Sequence, residues 1–456
     1  MKRNVWKRIE ALVDPGSFTY FDPGRATGFV TGSGIINGRE VYVSAVDHLD
    51  LPDSPFDGLQ HHFELLQRAL DRPRPVVMIL DIMAHQHLGK SPFPQDAAKL
   101  LAHRKGIGHW YSLHARLSGL VPQVCVVCAR LGASMTFPVA LCDCAVMLED
   151  AGMSIGRPDV VEDMLGHPVD YLSLGSPEMH ARISGSVDVV VKDEQAAMAW
   201  VRHYLDHFPS RAGARLPEHP PVPALEDATS IDALLPKGAS VPFAIHPILD
   251  RLLDRDSFLE IKKEYAAECV TGLARIEGRS FGLVASNSKV HSGILLPDTC
   301  LKMSRFITLC DHFSLPLVFL ADIPGFMVGT TAEQAGIIRH GAELFKAIGR
   351  ATSRKLSITL RRNYTAGVYA MAGPGMGAEE FLALPGAVIS IYGKNVAAKL
   401  GNRSNHRKDQ INRRAMEETA ADPRKLLEAG LLDEIIQAEE IRGRIASFLS
   451  QPQRQG

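Results

Sequence analysis

Three consecutive small residues, Thr365-Ala366-Gly367, carry the first chemical signal in this 456-residue sequence. They follow Leu356 to Leu360, an alternating and β-branched run that reads as a buried strand, and they open a stretch of helical composition. A strand that turns through small residues into a helix leaves backbone N–H groups unpaired at one spot, which suits an oxyanion. The same residues would also let a helix pack closely on a sheet, and this stretch alone leaves both readings open. Gln123 to Met135 is its counterpart upstream, with Gly132, Ala133 and Ser134 at the turn.

Other candidates are weaker. Cys125 and Cys128, followed by Cys142 and Cys144, invite a zinc site, yet Val124 to Cys128 is itself strand-like, and alternation sends residues three apart to opposite faces. Buried reduced thiols are expected there, and no metal. Thr331 to Gln334 reads as a capping box opening a helix with apolar Ile337, Ile338, Leu344, Phe345 and Ile348. His340 falls on that helix, where a histidine is ordinarily a packing or surface residue. The basic run from Gly401 to Arg414 reads as a solvated helix face, with a phosphate-bearing ligand or carrier protein as the alternative.

The elements that must hold the two turns come as an internal repeat. Asp14, Ser17 and Phe18 match Asp254, Ser257 and Phe258 at an offset of 258 − 18 = 240. Thr31-Gly32 pairs with Thr271-Gly272, and the turn Asn37-Gly38-Arg39 with Glu277-Gly278-Arg279, each leading into a strand. After one inserted residue, Pro75 to Asp81 answers Pro316 to Asp322, each an apolar run ending in aspartate, at 322 − 81 = 241. Two similar halves of strands separated by helical stretches imply a duplicated α/β domain. Phe208 to His246 is rich in proline and small polar residues. The expected organisation is therefore a domain over 1–210, a Pro-rich linker over 211–245 and a second domain over 246–456.

Bulk properties exclude some classes. With 46% hydrophobic residues, 22% charged residues and a formal net charge of −1, the chain is a folded globular protein with no global argument for nucleic acid or membrane binding. The nearest approach to a membrane span, Leu131 to Leu148, is broken by Pro138 and Asp143. The basic start, Met1-Lys2-Arg3, is followed by no apolar region, so a cytoplasmic location is expected.

Several motifs in register, namely Phe21 to Gly34, Asp322-Ile323-Pro324-Gly325-Phe326, Gly336 to Gly341 and Tyr369 to Pro374, resemble the carboxyltransferase (β) subunits of biotin-dependent acyl-CoA carboxylases. The similarity runs over nearly the whole chain in the family's order, and the second half is the closer match. It implies tandem duplicated crotonase-like domains, each a ββα superhelix of the ClpP/crotonase kind. It also implies a homo-hexamer with an active site between the first half of one subunit and the second half of another.

By the same resemblance, the first half holds the acyl thioester and the second holds biotin. Carboxyl transfer needs an enolate on the thioester and a ureido anion on biotin, and two pairs of backbone N–H groups answer that need. Carried over by position, Ala133 and Ser134 form the acyl-side pair, and Ala366 and Gly367 the biotin-side pair. Gly132, Arg130, Phe326, Thr365 and Tyr369 are the implied substrate contacts, while His85 and His87 lie in a loop that departs from the family and are candidate contacts, with exposed loop polar residues as the alternative. The lack of an acid–base couple in either loop fits this chemistry and argues against a hydrolase. The sequence carries no Met-Lys-Met motif, so biotin is expected on a separate carrier protein alongside a biotin carboxylase. The acyl group would ride on coenzyme A or on an acyl carrier protein.

Departures concentrate in the first half. The loop after Asp81 is glycine-rich in the family, but here it reads Ile82-Met83-Ala84-His85-Gln86-His87. The family's Gly-Gly is replaced by Ala133-Ser134, which preserves the donors provided that φ stays negative. A decarboxylase of malonyl-type or glutaconyl-type thioesters would use the same two holes. A silent scaffold subunit would explain the altered first half. A biotin-independent crotonase-type enzyme is disfavoured by the retained second half.

Overall fold

A computed structural model describes residues 4–21, 28–46, 55–81, 101–228, 231–238, 241–391 and 422–451. The chain divides into two compact units, Met1–Leu216 and Pro217–Gly456. In the first, strands β1 (Thr19–Tyr20), β2 (Phe29–Ile36), β3 (Arg39–Val46), β4 (Val76–Leu80), β5 (Gln123–Val127), β7 (Cys144–Leu148) and β9 (Val189–Val191) form one sheet in that spatial order. Strands β6 (Arg130–Gly132) and β8 (Gly152–Ser154) pair separately. The second sheet follows the same plan, with β10 (Leu259–Ile261), β11 (Cys269–Ile276), β12 (Arg279–Ser286), β13 (Leu317–Ile323), β14 (Lys355–Tyr364), β15 (Glu380–Ala383) and β17 (Glu434–Ile435) in order, and β16 (Val388–Ser390) on the end of β14.

The repeat seen in the sequence is a repeated hairpin clamp. Asn37 and Gly38 both take positive φ, 49° and 76°, as do Glu277 and Gly278 at 50° and 75°, which is the backbone of a tight hairpin turn. Asp14 accepts from the N–H groups of Asn37 (3.4 Å) and Gly38 (3.2 Å), and Asp254 from those of Glu277 (3.0 Å) and Gly278 (2.8 Å). An arginine then closes each clamp. Arg202 donates to Asp14 (2.8 Å) and the Leu12 carbonyl, and Arg442 to Asp254 (2.7 Å) and the Leu252 carbonyl. Under each hairpin lies a glycine, Gly32 or Gly272, where a Cβ would come within 2.5 Å of the Phe18 or Phe258 ring.

Beyond the hairpins, β3 to β9 and β12 to β17 run parallel. Strands β4, β5, β13 and β14 are buried along their whole length, as expected for central strands of a parallel sheet covered by helices. The helices Pro55–Asp71 and Ile107–Leu117 cross between β3, β4 and β5, and Pro297–His312 and Ile337–Arg350 between β12, β13 and β14. Leu283, Val318, Leu320, Leu356, Ile358 and Phe448 share the core of the second unit.

Two expectations are revised. The capping box at Thr331 does not form: the helix Thr330–Gln334 starts from Gly329 without a side-chain cap, and Gly336 in the left-handed region breaks the chain before Ile337–Arg350. The Pro-rich stretch is fastened to the second unit, since the His219 N–H donates to the Gly278 carbonyl (3.0 Å), Phe243 N–H to Ser288 Oγ (3.1 Å), and Arg361 to the carbonyls of Gly238 (2.9 Å) and Val241 (2.6 Å). Cys125 is fully buried, and Cys142 Sγ lies 4.0 Å from His114 Nδ1. Among the described residues, no helix is long and apolar enough to cross a membrane.

Candidate active site

In the second unit β13 and β14 end side by side, with Ile323 opposite Asn363, and each gives way to a turn. Gly325 takes φ 109°, open to glycine, and a Cβ there would lie 2.5 Å from Thr365 Oγ1. A Cβ on Gly367 would lie 3.1 Å from Gly325 Cα, so the two turns touch backbone to backbone. The Thr365 N–H is tied to the Ser390 carbonyl (3.0 Å), and Thr365 itself takes φ 52°, an unusual conformation for a β-branched residue.

Ala366 and Gly367 send their carbonyls into the following helix, where the N–H groups of Ala370 (3.1 Å) and Met371 (3.0 Å) donate to them. Their own N–H groups meet no acceptor among the described residues. Two adjacent donors are thus left over beside the exposed side chains of Thr365 and Tyr369. Phe326 is placed differently, its ring packed edge-on to Phe345 (5.7 Å) and against Gly341.

A buried charge cluster lies just before this turn. Asp322 accepts from Arg361 (2.8 and 3.2 Å) and Arg362 (2.8 and 3.1 Å), and all three are buried. Consecutive strand residues normally face opposite ways, but pairing shifts between Ala321 and Ile323, and this bulge lets both arginines reach one carboxylate. Burial alone would raise the Asp322 carboxyl; the hydrogen bonds from Arg362 and Arg361 outweigh it and hold the group below the usual carboxylate range. Two guanidiniums against one carboxylate favour an anion at the adjoining turn. Sequence reasoning did not find the two arginines, since the bulge that joins them leaves no signature.

The first unit repeats the arrangement with changes. Gln123 pairs with Val76 as Lys355 pairs with Leu317, and Arg130 to Gly132 pair with β8 as Arg362 to Tyr364 pair with β16. An offset of 355 − 123 = 232 therefore holds up to the turn, laying Ala133 on Thr365, Ser134 on Ala366 and Met135 on Gly367. Ala133–Met135 form a 3₁₀ turn into the helix Thr136–Leu141. Ser134 is not among the residues of positive φ and Met135 sits at φ −82°, so glycine is not needed at either position. The Ser134 N–H meets no acceptor among the described residues, and its carbonyl accepts from the Tyr111 hydroxyl (2.9 Å), a partner the sequence reading missed.

Arg130 is exposed and lies over the Tyr171 ring at 4.3 Å. Asp81 is held by Arg8 (2.6 Å), which also reaches Glu194 (2.5 Å). His85, His87 and the run 401–414 lie outside the described residues.

Two tandem α/β units of crotonase-like ββα architecture, each ending its central strands in a turn with backbone donors to spare, define a duplicated carboxyltransferase fold. The chain belongs to the carboxyl transferase domain family, which matches residues 2–455. It is 42% identical over 303 residues to the uncharacterized carboxylase YngE of Bacillus subtilis, covering 66% of this chain and 59% of that protein. It is 31% identical to the propionyl-CoA carboxylase beta chain of Roseobacter denitrificans, over 98% of this chain and 89% of that one. Among solved structures, the hexameric transcarboxylase 12S with hydrolysed methylmalonyl-coenzyme A bound superposes with a TM-score of 0.88 at 28% identity, covering 99% of this chain and 91% of that one.

Proposed function

We propose that the chain is the carboxyltransferase subunit of a biotin-dependent acyl-CoA carboxylase. It moves a carboxyl group between carboxybiotin on a separate carrier protein and an acyl thioester carried by coenzyme A or an acyl carrier protein. One observation carries this reading: the adjacent, acceptor-free N–H groups of Ala366 and Gly367, with the Ser134 N–H likewise meeting no acceptor among the described residues at the equivalent turn Ala133–Met135.

The turn fits a ureido group, because both its donors point from a position flanked by exposed Thr365 and Tyr369. Carboxybiotin supplies the carboxyl group and, once that has left, a nitrogen basic enough to take the α-proton of the acyl group. The N–H groups of Ala366 and Gly367 hold the ureido oxygen while it carries negative charge. Those of the Ala133–Met135 turn, with Ser134 at its centre, hold the thioester oxygen as the enolate forms. Donors already in place are worth on the order of 3 kcal/mol each, because nothing has to reorganise as charge develops. Arg130 lies within reach of the same turn as a contact for the acyl carrier's phosphates. The subunit works as a homo-hexamer with a separate biotin carboxylase. Among the described residues none of the seven cysteines is in a disulfide, which accords with a reducing compartment such as the cytoplasm.

The test is transfer itself. Purified protein with a biotinylated carrier, a charging biotin carboxylase and labelled bicarbonate should label an acyl-CoA from a panel of short and longer chains, and avidin should block it. Labelling that persists in avidin would sink the biotin step.

A further inference from the structure

We propose that Tyr111 is a positioning residue of the acyl side, its hydroxyl standing in for a helix hydrogen bond that the first unit cannot make. The inference rests on the reading that the Ala133–Met135 turn holds the acyl oxygen. A trans peptide is planar, with its C=O and N–H pointing in opposite directions, so whatever holds the Ser134 carbonyl also aims the Met135 N–H. In the second unit the equivalent carbonyl, that of Ala366, is held by the N–H of Ala370 at 3.1 Å, four residues on. The same step from Ser134 arrives at Pro138, since 370 − 232 = 138, and proline has no N–H.

Tyr111 supplies the missing donor. It stands on the helix Ile107–Leu117, its hydroxyl donates to the Ser134 carbonyl at 2.9 Å, and its ring meets that of Phe137 edge-on at 5.8 Å. The carbonyl is thereby drawn toward this helix, and the Met135 N–H is turned to the opposite side. Among the described residues, no side chain of the second unit's helix Ile337–Arg350 donates to the Ala366 carbonyl. Buried Trp110, Leu113 and Leu117 match buried Gly341, Leu344 and Ile348 at an offset of 231 (Gly341 − Trp110), which puts Ala342 where Tyr111 stands. Each unit thus carries one device for one carbonyl: the unit with proline has the tyrosine, and the unit with a helix N–H has alanine.

The experiment is a two-residue cycle. Tyr111→Phe keeps the ring and its contact with Phe137 but removes the donor. Loss of a whole oxyanion donor lowers kcat by about 10²–10³, so a donor left in place but poorly aimed should lower it by roughly 10–10², with KM for the acyl thioester within about twofold. Pro138→Ala restores an N–H four residues after Ser134, and in the Tyr111→Phe background it should recover at least about fivefold of the lost kcat. Tyr111→Phe with wild-type kcat overturns the proposal, as does a folded double variant no faster than Tyr111→Phe. If wild-type protein turns over no thioester, the functional reading fails instead. The crystal structure of Tyr111→Phe then decides the positioning claim alone, and a Ser134–Met135 peptide that keeps its orientation overturns it.

Discussion

At the same place in the repeat, three residues before each turn, stand Arg362 in the second unit and Arg130 in the first. Arg362 turns inward onto Asp322 and is joined there by Arg361, whereas Arg130 turns outward over Tyr171. The counterpart of Arg361, at 361 − 232 = 129, is Ala129, and Asp81 is left to Arg8 from a distant helix. One repeated frame thus carries two solutions. In the second unit the charge is locked beneath the turn, and the peptide carbonyls there are held by helix hydrogen bonds. In the first unit the strand arginine is exposed over Tyr171, and the Ser134 carbonyl is held by a side chain.

The largest test of this contrast is to remove donors one side at a time. Gly367→Pro deletes an N–H but also places a Cβ 3.1 Å from Gly325 Cα, so kcat should fall by about 10²–10³ or more, with circular dichroism and the unfolding midpoint separating the lost donor from a disturbed turn. Ser134→Pro should lower kcat to a similar degree at the first unit's turn if that turn holds the acyl oxygen as proposed. Steady-state kinetics check both, and unchanged turnover for Ser134→Pro would show that the altered first turn holds no oxyanion.

Next in size are the two aspartates. Asp322→Ala leaves two buried guanidiniums facing each other, so it should cost about 3–5 kcal/mol. Asp81→Ala should cost less, about 1–3 kcal/mol, because Arg8 retains Glu194. Denaturant unfolding of the two variants compares them, and equal losses would remove the asymmetry between the two aspartate sites.

A smaller effect is expected at Thr365. Its left-handed backbone at φ 52° is one that glycine adopts freely, so Thr365→Gly should raise stability by about 1 kcal/mol, read as a higher unfolding midpoint. Destabilisation would mean that the threonine side chain contributes more than the strain removes.

The smallest prediction concerns acid. His62 is fully buried, and its counterpart at 303 − 62 = 241 is Met303. Burial, and to a lesser degree the neighbouring His114, hold the folded-state pKa of His62 well below its ordinary 6.5. The unfolded chain therefore binds a proton below about pH 6.5 that the folded chain refuses, and stability falls as pH falls through that range. His62→Met should shrink the drop in melting temperature between about pH 7.5 and 5.5. An unchanged drop would place the acid sensitivity elsewhere.

Much of this was legible in the sequence, because it rests on local rules. Strands β4, β13 and β14 announce themselves as apolar runs, the hairpin turns carry Gly38 and Gly278, and the clamp aspartates recur at a fixed offset. The site's backbone could also be placed, since small residues after a strand mark a turn whatever surrounds it. What stayed hidden depends on distant partners. Tyr111 lies 23 residues from the peptide it holds, Arg8 73 residues from Asp81, and Arg361 reaches Asp322 only through a bulge. The split at Gly336 was missed because helical periodicity continues on both sides of it.

The hairpin clamps have a consequence for how such a chain could arise. Arg202, near the end of the first unit, grips Leu12 and Asp14 near its beginning, and Arg442 does the same for Leu252 and Asp254. Each module therefore brings its own entry and exit together, the geometry that tolerates head-to-tail copying of a gene segment without stretching either copy. A circularly permuted single module, opened at an exposed loop and closed across the clamp, should keep the same strand order.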